Sequence, residues 1–395
     1  MQIFSQIVSL IIFIYLGAFA LYYLVFALAA LFYREKKQHI NKQDKTCVVL
    51  IPAYKEDNVI VDTARSAAAH QSQLCRFDVV VIADSLKPET ISKLSALPII
   101  MIEVSFEKST KSKALNQAIN TLTTQYDYAV VLDGDNIMAD GFINEIYGRL
   151  QSGFQIVQGH RQDKNRNTRF AVLDAVSEGV NNNIFRKGHR VLGLSAALIG
   201  SAFAISYPLF VKMMREIQAI GGFDKELEIK TLRAGMRIGF AEKAVVYDEK
   251  VQQADVFVQQ RRRWLSAQFI YFSRYFLTAC KELVRNGNID LFDKVIQMVS
   301  PPRVILLGLS AILAAMMCLL QLWLGGSAWV SPDCQVWLAL FGVSLTAIMV
   351  ATPRKYYTTQ TFKALLSLPK AFVLMFLTLF KLKGANKKFI HTRHG

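Results

Sequence analysis

Residues 3–33 form an apolar run without a single charged side chain, and no other feature restricts this chain so strongly. At ~1.5 Å per helical residue the run exceeds the ~30 Å hydrocarbon thickness of a bilayer, so it can span with some tilt. A cleavable signal peptide is the competing reading, since Ala27-Leu28-Ala29 loosely resembles a cleavage site. No positive charge precedes the run, and it is about twice the length of an ordinary signal core, which favours an uncleaved anchor. Arg34, Lys36, Lys37, Lys42 and Lys45 follow at once. That basic excess places this end in the cytoplasm and the N-terminus outside.

Two further runs, 304–324 and 336–351, fit a hairpin that crosses outward and returns. Residues 325–334 between them hold no Lys or Arg, whereas Arg354 and Lys355 follow the second run. The last run, 371–380, is too short to span comfortably after Pro369 and Lys370. It predicts a helix lying in the interface ahead of a basic cytoplasmic tail, with a fourth span as the alternative. The net charge of +16 suits an acidic partner: nucleic acid, anionic lipid or a phosphorylated small molecule. Five scattered cysteines without a CxxC pair argue against a disulfide framework or a zinc site. His391 and His394, with no cysteine nearby, read as part of a solvated tail.

Between the apolar runs, residues 46–260 read as one cytoplasmic α/β domain. Short β-rich runs end in polar turns: CVVLIPAYKE, DVVVIADS, PIIMIEV, YAVVLDGDN and FQIVQGHR. Helical stretches such as 59–70 and 112–123 fall between them, which predicts a mainly parallel mixed sheet flanked by helices. Ligands of such sheets gather at the carboxyl ends of strands. The chain therefore divides into an anchor over 1–33, the α/β domain over 46–260 and interfacial amphipathic helices over 261–299. Two spans over 300–352 follow, and then an interfacial helix with a basic tail over 353–395.

Residues able to do chemistry sit at those strand ends. Asp133 and Asp135, separated by Gly134, can turn toward one hard cation such as Mg²⁺ or Mn²⁺, which completes its shell with substrate phosphates. A capped turn would also use these residues. Asp84, and Glu56 with Asp57, end two other strands, where turn formation and helix capping are ordinary roles. Lys108, Lys111 and Lys113 precede a helix, where cations and amides together can meet an anion. GGFDKELEIKTLRAG offers Asp224, Glu226 and Glu228 on a helix ending near Gly235, and one carboxylate there can serve as a general base.

The stretch QQRRRWLSAQF, residues 259–269, sets three arginines beside Trp264. A nucleic-acid surface would need a broader basic face with exposed stacking aromatics. Here the neighbours form an amphipathic aromatic helix suited to a membrane interface. Arginine suits bidentate phosphate binding in a partly desolvated site, so the pattern points to a pyrophosphate held near the membrane.

Taken in order, PAYKE, IADS, KSKALN, DGD, GSAF, the D-x-E-L helix, QRRRW and FIHTRH resemble the membrane-bound family-2 glycosyltransferases with a QxxRW motif. That group includes hyaluronan, chitin-oligosaccharide and cellulose synthases and ceramide glucosyltransferases. The resemblance implies a GT-A domain and inverting transfer from a nucleotide-sugar, most often a UDP-sugar. By position it puts Pro52, Tyr54, Glu56, Asp84 and Lys113 around the nucleotide, Asp133 on the donor and Asp135 on the metal. It gives Gln260, Arg263 and Arg262 to the diphosphate grip. Gly200, Ser201, Ala202, Phe203 and Trp264 would border the acceptor.

The family's EDxELxxR pattern assigns the base to Asp224, with Glu226 in reserve. Phe223 stands where Glu is usual and Lys230 where Arg is usual. The implied acceptor is a growing glycan or a membrane lipid, and the few spans leave room for an oligomeric channel. The implied setting is the cytoplasmic face of a membrane, taken as a bacterial inner membrane, with no nucleic-acid partner. A non-catalytic scaffold with a decayed transferase domain is the reading that the altered EDxELxxR pattern keeps open.

Overall fold

In the computed structural model, residues 2–35, 45–217, 221–323 and 332–382 are described. Lys36, Lys37, Lys42, most of the linker 325–334, and the tail with FIHTRH, His391 and His394 lie outside them.

Eight strands form one mixed sheet: β1 (Thr46–Tyr54), β2 (Arg76–Asp84), β3 (Ile100–Val104), β4 (Tyr128–Val131), β5 (Ile137–Met138), β6 (Ile156–Asp163), β7 (Phe203–Ser206) and β8 (Ile238–Asp248). Their order is β3-β2-β1-β4-β7-β6-β8-β5. β3, β2, β1 and β4 run parallel, β7 is antiparallel to both its neighbours, β6 and β8 are parallel, and β5 is an antiparallel edge. The five strands expected from the apolar runs are all present. β5, β7 and β8 are additional, and β7 turns the sheet from parallel to mixed.

Period-two alternation gives the sheet its two buried faces. Val48 and Leu50 of β1 enter one apolar core, and Cys47, Val49 and Ile51 enter the other. The helices α2 (Ile60–Ala69), α3 (Pro88–Ser95) and α5 (Phe142–Gln151) cover the second face. The first is covered by α4 (Lys111–Thr121), α8 (Tyr207–Met214) and α9 (Phe223–Arg233). Between the sheet and the apolar helices lie α6 (Arg169–Asn181), a π-helical turn over Asn182–Gly188, and α7 (His189–Val191).

The apolar segments become α1 (Gln2–Ala30), α12 (Arg303–Trp323) and α13 (Cys334–Ala351), three helices long and apolar enough to cross a membrane. The α1 helix packs on α13 and on the π-helical turn, with Leu16, Tyr23, Trp337 and Ile184 in the shared core. A Cβ on Gly188 would lie 2.1 Å from the Phe26 carbonyl oxygen, so glycine is what admits this approach. Two amphipathic helices, α10 (Ala254–Asn286) and α11 (Ile289–Gln297), link the sheet to α12. The last apolar run falls in α15 (Leu368–Leu379), bent 49° from the preceding α14 (Thr359–Leu365), and the pair counts as a fourth span only if taken as one broken helix. Met375 of α15 packs with Phe257 and Leu265 of α10 and Ile305 of α12.

Candidate functional site

The carboxyl ends of β1, β2 and β4 open with the start of α9 and one face of α10 onto a cavity of about 1130 Å³. Pro52, Tyr54, Glu56 and Asp84 line one wall, and Asp133 and Asp135 line another. Opposite them stand Gly200, Asp224, Gln260, Arg263 and Trp264. The backbone is unusual where two strands reach it: Lys55 and Ser85, one residue beyond β1 and β2, both have φ of 56°. A left-handed conformation at non-glycine positions is costly and tends to cluster where a site is shaped. The Lys55 amide donates to the Asp84 carbonyl at 3.1 Å and ties the two strand ends together. Asp57 points elsewhere, accepting from the Lys87 amide (2.8 Å) and the Thr90 hydroxyl (2.6 Å) at the start of α3.

The DGD turn owes its shape to Gly134. A Cβ there would meet Glu56 Cγ at 3.2 Å, so the glycine lets the two acidic strand ends approach. Asp133 is ion-paired to Lys111, whose Nζ also donates to the Gly200 carbonyl at 2.8 Å. Arg161 Nη1 stands 3.8 Å from the other Asp133 oxygen, and its Nη2 binds Asp248 at 2.5 Å. Asp135 accepts from the Glu249 amide at Oδ2 (2.8 Å) and from Asn136 Nδ2 at Oδ1 (3.0 Å). Among the described residues no cluster of three or more His, Cys, Asp or Glu side chains could hold a metal. Two carboxylates on an open cavity wall still suit Mg²⁺ or Mn²⁺, because such ions take their remaining oxygens from phosphate and water.

Asp224 begins the α9 helix beside Gly222, whose φ of +73° no branched residue would adopt readily. A Cβ on Gly200 would touch Asp224 Cγ at 3.5 Å, so this carboxylate sits directly over the GSAF turn. Burial raises its pKa above the usual aspartate value; Glu228 adds to the rise, while Lys225 and Lys111 oppose it. Glu226, two residues on, is buried away from the cavity, with Tyr271 Oη 3.4 Å from its carboxylate. Phe223 is buried in the core, and Lys111 Nζ lies 5.5 Å from its ring centroid. An aromatic ring thus lies beside the lysine that holds Asp133.

The three arginines of α10 diverge. Arg263 faces the cavity, and burial lowers its pKa against the opposing pull of Asp133 and Asp224. Arg261 also lines the cavity, bound to Asp174 at 2.5 Å and stacked 4.6 Å from the Trp264 ring centroid. Arg262 turns outward and donates from Nε to the Lys381 carbonyl. Lys113 lies outside the lining, donating to the Lys108 carbonyl at 3.0 Å, and Lys111 takes the inward position. Ser201, Ala202 and Phe203 are fully buried where the chain enters β7, so of the GSAF turn only Gly200 borders the cavity.

Arg161, Asp248 and Lys250 were not singled out from sequence, yet they form a buried charge ladder in the wall, with Lys250 Nζ 2.6 Å from Asp248. Arg161 ends the recognised FQIVQGHR strand, so its strand-end position was a usable signal. Three buried polar atoms of lining residues lack a partner among the described residues: Gln260 Oε1, Arg161 Nε and Arg261 Nε. Buried groups of this kind are normally satisfied, and here a polar ligand is the natural partner.

Comparison with known proteins follows the same outline. The family profile described as "Glycosyltransferase like family 2" matches residues 45–267. No curated protein sequence matches the chain. Among solved structures, a mannosyltransferase from Pyrobaculum calidifontis, in complex with GDP-Man and Mn2+, aligns at 13% identity and a TM-score of 0.48, covering 85% of this chain and 98% of that one. A glucosyl-3-phosphoglycerate synthase from Mycobacterium tuberculosis, in complex with Mn2+, UDP and phosphoglyceric acid, aligns at 21% identity and a TM-score of 0.40. That alignment covers 57% of this chain and 79% of the other.

Proposed function

Because the chain belongs to glycosyltransferase-like family 2, we propose that it is an inverting enzyme. It moves one sugar from a nucleotide-sugar, a UDP-sugar by resemblance, to a hydroxyl acceptor at the membrane face. The observation that carries this reading is the shared cavity: strand-end carboxylates, the desolvated Asp224 and the inward Arg263 all face one space. The acceptor hydroxyl attacks the anomeric carbon and passes its proton to Asp224, while the nucleoside diphosphate leaves with the bonding electron pair. Pro52, Tyr54, Glu56 and Asp84 border the nucleotide, and Arg263 with Gln260 faces the leaving diphosphate. Asp135 and Asp133 would hold a divalent cation, whose chemistry when bound is charge neutralisation on the diphosphate. Glu226 and Arg262 face away and stay outside the chemistry.

By resemblance to the synthases, a growing glycan is the first acceptor. A second reading, transfer of a single sugar to a membrane lipid, draws support from the aliphatic inner end of the cavity. Arg34, Arg354 and Lys355 flank the spans on the side of the α/β domain, and Lys355 Nζ donates to Gln162 at 2.7 Å. This supports a cytoplasmic catalytic face with the N-terminus outside; a bacterial inner membrane is the setting proposed with it.

Asp224→Asn tests the mechanism. It should cost about 10²–10⁴-fold in turnover, the range for a general base, and leave UDP binding near the wild-type value. The raised pKa adds a sign: activity should fall on the acid side at a pH above that of an ordinary aspartate, because the base must be ionised. Wild-type turnover in the variant would remove Asp224 as base, and absence of transfer or hydrolysis across a panel of UDP- and GDP-sugars would favour the scaffold.

A further inference from the structure

The cavity continues past the sheet. Beyond Arg263 and Trp264 its wall passes to α12, α13 and α15, where Leu307, Ala311, Ile312, Ile348, Phe372 and Met375 face it. None of these side chains donates or accepts a hydrogen bond. A hydroxyl-covered glycan would give up water there without replacement, whereas a hydrocarbon tail gives up nothing. Ile312 also lines a groove of about 620 Å³ on the outer face of α12, with Ala315, Met316, Leu319, Leu320 and Trp323. The inner limb and a bilayer-facing surface thus share one residue. At ~1.5 Å per residue, Ile312 lies about 14 Å along the helix from Arg303, a depth that suits a chain laid along α12.

Two cations stand where the polar and apolar limbs meet. Arg303 binds only neutral groups among the described residues: Asn181 Oδ1 at 2.7 Å, the Ser177 hydroxyl at 2.9 Å and the Ser177 carbonyl at 3.2 Å. Arg261 is neutralised by Asp174 and keeps an unpartnered buried Nε. Asp174 pairs with Arg261, and Glu178, the carboxylate that acts on Arg303, is itself paired with Arg186 at 3.0 Å. Two carboxylates thus serve three guanidiniums, and the fork of a guanidinium suits the oxygens of a phosphate.

We propose that the inner limb binds the hydrocarbon tail of an anionic lipid acceptor, with its head-group phosphate at Arg303 and Arg261. The free hydroxyl of that head group then points toward Asp224, a placement that rests on the glycosyl-transfer reading. The bilayer supplies the lipid through the side of α12.

The test uses the full chain in phosphatidylcholine vesicles containing a small fraction of phosphatidylglycerol with a diazirine in one acyl chain. After illumination, modified peptides are mapped by mass spectrometry. Adducts are expected on the α12 and α15 residues that line the limb. Ala311→Trp, which fills the limb, should lower them about tenfold, the loss of roughly two buried methylenes. Arg303→Gln should abolish the preference for the phosphatidylglycerol probe over the same diazirine in phosphatidylcholine. Ile312→Trp, at an exposed position, gives the same reading as Ala311→Trp if the latter fails to fold, with a cooperative thermal unfolding transition as the folding control. Adducts confined to the outer faces of α1 and α13, or unchanged in a folded limb variant, overturn the lipid site. Sugar transfer is read on the same samples. Limb adducts without nucleotide binding keep the lipid site and sink the transferase reading; transfer to a water-soluble acceptor without limb adducts does the reverse.

Discussion

Replacing Lys294 by methionine should destabilise the catalytic helix from a distance. Glu228 of α9 is fully buried, with Lys294 Nζ of α11 at 3.0 Å, Lys225 Nζ at 3.4 Å and the Leu198 amide at 2.9 Å. At an effective dielectric of about 20, a 3.0 Å pair attracts by roughly 5–6 kcal/mol before desolvation is counted. Breaking one partner of a buried pair costs about 3–5 kcal/mol, because a charge is left uncompensated. Lys225 remains, so the lower end is expected, ~3 kcal/mol. In a thermal unfolding scan of the full chain in detergent this should appear as a drop of about 3–4 °C, because the unfolding entropy scales with the length of the chain.

The pH dependence has a definite sign. Burial alone would raise the Glu228 pKa; Lys294 and then Lys225 outweigh it and hold the carboxyl below its usual range. Its contribution is therefore present above the unfolded carboxyl pKa and is lost as pH falls through the folded value. Without Lys294 that pull weakens, Glu228 takes up a proton more readily, and the deficit of the variant should shrink as pH falls from neutral toward about 5. The double variant Glu228→Gln, Lys294→Met keeps an acceptor for the Leu198 amide and should recover most of the stability. A single variant within about 1 kcal/mol of wild type, or a double variant no better than the single, refutes the reasoning.

Separate lysine substitutions at Arg261, Arg262 and Arg263 should be unequal. Arg263→Lys is expected to lose about 10²-fold in turnover, Arg261→Lys less, and Arg262→Lys almost nothing; equal small losses would return the cluster to a plain membrane-surface role. Gly188→Ala places a Cβ against the Phe26 carbonyl and should cost about 3 kcal/mol or prevent α1 from docking, read as a lower unfolding temperature; a neutral outcome contradicts the close approach. Chelation of divalent cations should weaken UDP binding in calorimetry, Mn²⁺ should restore it, and Asp135→Asn should remove that restoration. Unchanged binding with chelator present would separate Asp133 and Asp135 from any metal.

Much of the architecture was legible because it depends on local patterns. Uncharged length alone set out the helices Gln2–Ala30, Arg303–Trp323 and Cys334–Ala351. Short, nearly continuous apolar runs ending in Asp or Glu located β1, β2 and β4 and the cavity at their ends. β7 escaped notice because GSAFAIS is short and carries a turn motif at its start. β8 escaped because IGFAEKAVVYD breaks its apolar alternation with Glu242 and Lys243, and its loss hid Asp248 and Lys250.

The sequence by itself determined which kinds of chemistry are present: paired acids after a strand, a glycine-started acidic helix and a guanidinium cluster at a membrane-facing aromatic helix. Only the tertiary structure decided which member of each set is used. Consecutive helical residues point about 100° apart, and residues two apart diverge by about 200°. Asp224 and Glu226, Lys111 and Lys113, and Arg262 and Arg263 therefore differ in direction within each pair, but spacing alone does not say which member meets the cavity: Arg261 and Arg263, also two apart, both line it. The packing of α4 and α9, and of α10 on α9, α11 and α15, sets which side faces in. It turns Asp224, Lys111 and Arg263 toward the cavity, and Glu226, Lys113 and Arg262 away from it.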